Sequence, residues 1–154
     1  MKDEFLGVEK YRPKTIEECI LPAETKKVFQ SFVNKGEIPN LLLCGTAGIG
    51  KTTVAKALCK ELGVDYYVIN GSDEGRFLDT VRNNAKQFAS TVSFSSTAKH
   101  KVIIIDEADN TTPDVQLALR AFTEEFVGNC RFIFTCNYKN KIVSPLHSLS
   151  LIHI

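Results

Sequence analysis

The residues best suited to chemistry fall in one short run, Gly45-Thr46-Ala47-Gly48-Ile49-Gly50-Lys51-Thr52, with Thr53 following. The run fits G-x-x-x-x-G-K-[ST], and each fixed position has a physical purpose. Glycines let the backbone turn tightly and aim successive N–H groups at phosphate oxygens, where a side chain would collide. Lys51 can reach β- and γ-phosphates as a point charge, and the Thr52 hydroxyl can coordinate Mg²⁺. A helix starting here would add its positive N-terminal end to the same anion. These residue types at this spacing point to nucleotide binding.

A second chemical pair closes the run Lys101-Val102-Ile103-Ile104-Ile105-Asp106-Glu107. Four consecutive β-branched residues mark a fully buried strand, and open α/β sheets bind ligands beyond the carboxyl ends of such strands. Asp106 is placed to hold Mg²⁺, directly or through water, and Glu107 to orient and polarise an attacking water. Acids at strand ends also serve as helix caps, but a phosphate-binding loop some fifty residues upstream favours the chemical role. Asn137 follows the strand-like run Arg131-Phe132-Ile133-Phe134-Thr135-Cys136. A neutral Asn there can hydrogen-bond the γ-phosphate or the lytic water, or can simply form a turn.

The elements that must position these groups read clearly. Asn40-Leu41-Leu42-Leu43-Cys44 suits a buried parallel strand, and beyond the loop Val54, Ala55, Leu58 and Leu62 recur at helical spacing until Gly63. Upstream, residues 23–35 predict a helix with Val28, Phe29, Phe32 and Val33 on one face and Gly36 as its stop. Residues 65–69 predict a second strand, ending in a turn-rich loop, Asn70-Gly71-Ser72-Asp73. A helix over 76–89 would turn Phe77, Leu78, Val81, Ala85 and Phe88 inward, with Arg76, Arg82 and Lys86 elsewhere. Thr111 or Thr112 caps a further helix with Pro113 in its first turn; Val115, Ala118, Leu119, Phe122 and Phe126 form its stripe, leaving Gln116 and Arg120 available for contacts. Near the start, Tyr11 and Arg12 precede Pro13 and are therefore extended, suited to lie against an adenine base or to strap the surface with Tyr11 packed on the core.

At 154 residues the chain makes one domain, and 44% hydrophobic with 24% charged residues is ordinary for a globular protein. A net charge of +1 gives no global pull on nucleic acid, so any such contact requires a local patch. The five cysteines are odd in number and form no C-x-x-C pair; buried free thiols in a reducing cytosol are expected. No apolar run approaches the roughly 18 residues of a membrane span, and the charged start is unlike a signal peptide. His100, His147 and His153 are isolated and read as incidental.

Taken together, Glu9-Lys10-Tyr11-Arg12-Pro13, the phosphate loop, Asn70-Gly71-Ser72-Asp73, Asp106-Glu107-Ala108-Asp109 and Thr135-Cys136-Asn137 resemble AAA+ ATPases. More narrowly they are similar to sliding-clamp loader subunits of the replication-factor-C type, above all to the large subunit from T-even-type bacteriophages. The likeness runs from about residue 9 to 146. It implies a cytoplasmic ATPase, in a host cell if viral, that works with other loader subunits to open a sliding clamp and place it on primer–template DNA. It further implies that Tyr11, Arg12 and Pro13 line an adenine pocket while Gly45, Thr46, Ala47, Gly48, Ile49, Gly50, Lys51, Thr52 and Thr53 wrap the phosphates. Lys51, Glu107 and Asn137 would be catalytic, with Asn137 as phosphate sensor, and Thr52 and Asp106 would serve Mg²⁺. Arg76, Arg82, Gln116 and Arg120 would match positions that touch DNA or link it to the nucleotide site, although exposed helical arginines commonly serve solvation alone.

The chain departs from that pattern at Ser148-Leu149-Ser150, where the family has Ser-Arg-Cys with an Arg that completes a neighbour's active site. A helical lid and collar would follow in the family. Residues 1–146 are thus expected to form the nucleotide-binding domain, with 1–22 as its adenine-contacting segment and 147–154 as an atypical tail of a shortened subunit. The expected fold is α/β: a doubly wound parallel sheet flanked by helices, with the phosphate-loop strand central. Competing functions are a helicase loader or branch-migration motor of the same superfamily, and a non-catalytic assembly module.

Overall fold

In a computed structural model, which describes residues 14–45, 50–72, 77–91, 100–126, 128–142 and 150–154, the aliphatic runs form five strands. They are β1 (Leu41–Cys44), β2 (Tyr66–Asn70), β3 (Lys101–Asp106), β4 (Cys130–Cys136) and β5 (Ser150–His153). All pair in parallel, in the order β2-β3-β4-β1-β5. The middle strand is therefore β4, not the phosphate-loop strand. The chain leaves β1 for the far edge and returns through β3 to lay β4 beside it. What makes β1 interior is β5, in register Leu41↔Ser150 through Cys44↔His153. Residues 150–153, set apart above as a tail, thus form the edge strand, and the Ile154 N–H donates to the Cys44 carbonyl at 2.8 Å.

Helices cover both faces, as parallel sheets require. On one lie α1 (Ala23–Lys35) and α2 (Lys51–Leu62), stopped by Gly36 and Gly63 in left-handed conformation. On the other lie a three-part helical stretch and α5 (Pro113–Glu125). The three parts are α3 (Phe77–Asp79), a π-helical turn (Thr80–Ala85) and α4 (Lys86–Ser90). Strand alternation splits the core accordingly. Leu41, Leu43, Val102, Ile104 and Ile133 pack with Phe29, Val54 and Leu58, whereas Leu42, Ile103, Ile105, Phe132 and Phe134 pack with Phe77, Val81, Leu119 and Phe122. Each such buried side chain contributes about 1.5–3 kcal/mol relative to exposure.

Three expectations about helix faces are corrected. Val28 on α1 is 42% exposed, with Phe29 alone fully buried there, because Phe29 and not Val28 faces α2 and the sheet. Ala118 on α5 is exposed and Gln116 is buried, because the face centres on Gln116, Leu119 and Thr123. The single helix expected over 76–89 is interrupted by the π-helical turn, which keeps Phe77, Val81 and Ala85 on the core. Thr112 is the cap of α5, its hydroxyl oxygen accepting the Val115 N–H at 3.3 Å. All five cysteines are free and buried.

Candidate active site

Period two along the strands delivers the polar groups to one place. Asp106 continues the face of Val102 and Ile104, and Thr135 and Asn137 continue that of Ile133, all on the side covered by α2. At the carboxyl ends of β1, β3 and β4 they meet the start of α2. A pocket of about 260 Å³ opens there, lined by Gly50, Lys51, Thr52, Asp106, Glu107, Thr135, Cys136 and Asn137.

The start of α2 is unusual for a helix. Its cap, Gly50, has φ 79°, offers no side-chain hydrogen bond, and is followed by no acidic residue in the first turn. Orphan N–H groups and the positive end of the helix therefore face the loop uncompensated by an internal carboxylate, a setting that favours an anion. Lys51 is only 8% exposed. Its ammonium donates to the Gly45 carbonyl at 2.9 Å and to Asn137 Oδ1 at 2.8 Å, bridging the loop to the end of β4. The Asn137 and Tyr138 N–H groups in turn donate to Asp109 Oδ2, at 3.1 and 3.0 Å. Asp109 is buried and so fixes the backbone that presents Asn137.

The acid pair is equally tied down. Asp106 Oδ1 accepts the hydroxyls of Thr52 and Thr135, each at 2.5 Å. Glu107 has φ 54° and ψ 48°, a left-handed conformation unusual for a residue with a side chain. Its N–H donates to Thr135 Oγ1 at 3.0 Å, its carbonyl accepts the Asn110 N–H at 3.0 Å, and its carboxylate accepts the Ser72 hydroxyl. Gly71 completes the clamp. Its N–H donates to the Asp106 carbonyl at 2.7 Å, and a Cβ there would stand 2.5 Å from the Glu107 carbonyl oxygen. Only glycine lets the two backbones come this close.

Lys51, Thr52, Asp106, Glu107 and Asn137, separated by up to 86 residues in sequence, are thus brought together, with Gly45 and Gly50 at the loop's two ends. Thr53 is half-buried on the first turn of α2. Tyr11, Arg12, Pro13, Thr46, Ala47, Gly48, Ile49 and Arg76 lie outside the described residues. Arg82 is exposed on the π-helical turn, and Arg120 pairs with Glu124 at 2.8 Å. Gln116 is not available at the surface. It is fully buried, and its amide donates to the carbonyls of Thr111 and Lys141, at 3.2 and 3.0 Å. A helix-capping role for Asp106 is displaced by its bonds to Thr52 and Thr135. Thr135, Asp109, Gly71 and Ser72 were given no role from sequence. Thr135 stood only within the Thr135-Cys136-Asn137 motif, its own signal being a polar residue directly after the apolar Phe132-Ile133-Phe134.

The donor set fits a polyphosphate with a hard cation. A helix N-terminus and an ammonium suit phosphate oxygens, while a hydroxyl and a carboxylate oxygen in direct contact are the ligands that Mg²⁺ takes.

Residues 41–154 match the family model described as ATPase family associated with various cellular activities (AAA). The chain is similar to the replication factor C small subunit of Sulfolobus acidocaldarius, 43% identical over 153 residues, covering 96% of this chain and 46% of that protein. It is also similar to the sliding-clamp-loader large subunit of Enterobacteria phage T4, 46% identical over 147 residues, covering 94% of this chain and 45% of that protein. The chain thus spans about half the length of these relatives. Among solved structures, the Thermotoga maritima RuvB Holliday junction branch migration motor shares the fold, with a TM-score of 0.72 at 22% identity over 94% of this chain and 48% of that one. With the family model matching most of its length, the chain belongs to the AAA family of ATPases.

Proposed function

We propose that this protein is the ATP-binding and hydrolysing subunit of a sliding-clamp loader, acting with other loader subunits to open a clamp and place it on primer–template DNA. The observation that carries the reading is the meeting of Lys51, Thr52, Asp106, Glu107 and Asn137 around one pocket, in a chain similar at 43–46% identity to named clamp-loader and replication factor C subunits. The reaction is transfer of the γ-phosphoryl group to water, a process governed by positioning and charge stabilisation and needing no covalent enzyme intermediate.

Lys51 and the start of α2 hold the phosphates. Thr52 and Asp106 would hold Mg²⁺, which supplies charge neutralisation between the β- and γ-phosphates when bound. Glu107 orients and polarises the attacking water, and Asn137, already fixed by Asp109 and Lys51, contacts the γ-phosphate. Tyr11, Arg12 and Pro13 form the adenine side. Arg82 and Arg120, with Arg76, supply the local positive patch for DNA phosphates that the net charge does not. Gln116 acts behind this surface, joining α5 to the segment after Asn137.

The test is the ATPase rate of the full-length subunit in its complex. Stimulation by clamp together with primed DNA supports the proposal. Stimulation by a helicase or by junction DNA instead would transfer the protein to the loader-of-helicases or branch-migration class, and no Mg·ATP affinity at all would make it an assembly module.

A further inference from the structure

We propose that Thr135 is a positioning residue that sets both acids at once, an inference that rests on the ATPase reading above. Thr135 is 1% exposed and lies on β4, the middle strand, opposite Leu43 of β1. Its single hydroxyl makes two bonds of opposite sense. The O–H donates to Asp106 Oδ1 at 2.5 Å, and the oxygen accepts the Glu107 N–H at 3.0 Å. Consecutive residues with different tasks are thereby referred to one atom on a neighbouring strand.

Each bond answers a specific need. Among the described residues both hydroxyl donors to Asp106, Thr52 and Thr135, go to the same carboxylate oxygen, Oδ1. Thr52 would also hold the cation, a task that would compete for its hydroxyl. Thr135 is the donor that stays, holding the carboxylate's rotation. Glu107 has the opposite difficulty: its left-handed backbone is intrinsically unfavourable and persists only where neighbours over-determine it. The Thr135 oxygen fixes the N–H side of that residue, while Gly71 crowds its carbonyl side. Asn137 stands two residues on, directly after the end of β4, so the same strand bears on the placing of cation ligand, water-orienting acid and phosphate sensor.

The experiment compares Thr135→Val, which keeps shape and β-branching without the hydroxyl, with Thr135→Ser, which keeps the hydroxyl without the methyl. The full-length subunit in its complex is used, with Lys51→Ala as control. Three quantities are read: kcat, KM for ATP, and Mn²⁺ binding in the presence of ADP by electron paramagnetic resonance. Thr135→Val should lower kcat and weaken Mn²⁺ binding, each by about ten- to a hundredfold, the range for residues that orient metal ligands. KM for ATP should stay within about twofold of wild type, because the groups that bind the phosphates are untouched. Thr135→Ser should restore kcat and Mn²⁺ binding to within about threefold, given that its hydroxyl carries both bonds.

Wild-type kcat and Mn²⁺ affinity in Thr135→Val, with Lys51→Ala inactive, would overturn the positioning role and leave the ATPase reading standing. Equal impairment of Ser and Val would also overturn it, because a retained hydroxyl would then fail to restore the function assigned to it. Should Thr135→Val not fold, Thr135→Ala carries the same comparison; failure of both to fold while Thr135→Ser folds would make Thr135 a stability residue and end the proposal. A wild-type complex that neither binds nor hydrolyses ATP would remove the ATPase reading, and this inference with it.

Discussion

Glu107 is held in a conformation that a side-chain-bearing residue avoids, at a cost of order 1–3 kcal/mol. Thr135, Ser72, Asn110 and Gly71 all act on it, so the surroundings impose that geometry. On the proposed reading the outlier sits where a water would be aimed, which would give the strain a use. Replacing the carboxylate by an amide removes the charge and the base while keeping size and hydrogen-bonding capacity. Glu107→Gln should therefore bind Mg·ATP within about threefold of wild type and lose at least about a hundredfold in single-turnover hydrolysis, the scale of a positioned general base. Unchanged hydrolysis would take Glu107 out of the mechanism. Lys51 differs in kind. Its ammonium spans from the Gly45 carbonyl to Asn137, and on the proposed reading it would serve affinity as well as rate.

The two polar residues of α5 that the sequence reading treated alike separate once their element is seen. Arg120 makes an i,i+4 pair with Glu124 on a partly exposed face, whereas Gln116 is fully buried and donates to two carbonyls from separate segments. Gln116→Ala should destabilise the fold by about 2 kcal/mol, since buried acceptors lose their donor and a cavity opens. Arg120→Ala should change stability by less than about 0.5 kcal/mol, as exposed helical ion pairs do, and should instead weaken DNA binding with a shallower salt dependence. Urea melts and salt-dependent binding titrations separate the two effects; equal losses of stability would contradict the assignment.

How far the site was legible follows from which rules are local. The loop, the acid pair and Asn137 lie at strand and helix boundaries that periodicity and glycine placement mark directly, and the strand alternation then dictates one face for Asp106, Thr135 and Asn137. Gln116 was not legible, because a buried amide looks like a surface residue until its partner carbonyl at Lys141, 25 residues away, is known. The clamp of Gly71 on Glu107 was hidden for the same reason, as a contact between strand ends paired only in the sheet. The place of residues 150–153 could not be read either. Ser-Leu-Ile-His is too short for a period, and its strand identity comes from pairing with β1.

At the scale of the molecule, the sheet divides its ends between tasks: chemistry at the carboxyl ends of the strands, closure at the amino ends. His100 belongs to the second. It is buried just before β3, and its Nε2 accepts the Ile38 N–H at 3.1 Å. Burial lowers its pKa from the ordinary 6.5, with the nearby Arg131 charge adding to the effect and Glu37 and backbone hydrogen bonds opposing it. The sign follows from linkage. Above about pH 6.5 the ring is neutral in both states, and as pH falls further the unfolded chain takes up the proton first. Stability from this group is therefore complete above that pH and is lost on acidification towards the folded-state pKa. Urea midpoints should fall between pH 7.5 and 5.5 in wild type, and His100→Gln should flatten the slope. Identical slopes would show that other groups carry the acid sensitivity.

Burial also raises the pKa values of Cys19 and Cys136, and those of Cys59 and Cys130 to about 12, which keeps these four thiols protonated constituents of the core. The account as a whole stands on the pocket at the start of α2 being a Mg·ATP site. Calorimetric titration of Mg·ATP into the full-length protein and into Lys51→Ala tests this most directly. Saturable one-to-one binding that Lys51→Ala weakens by at least about a hundredfold is predicted, as expected for loss of a charge-assisted phosphate contact. Absence of binding to wild type, or equal binding to both, would contradict the account.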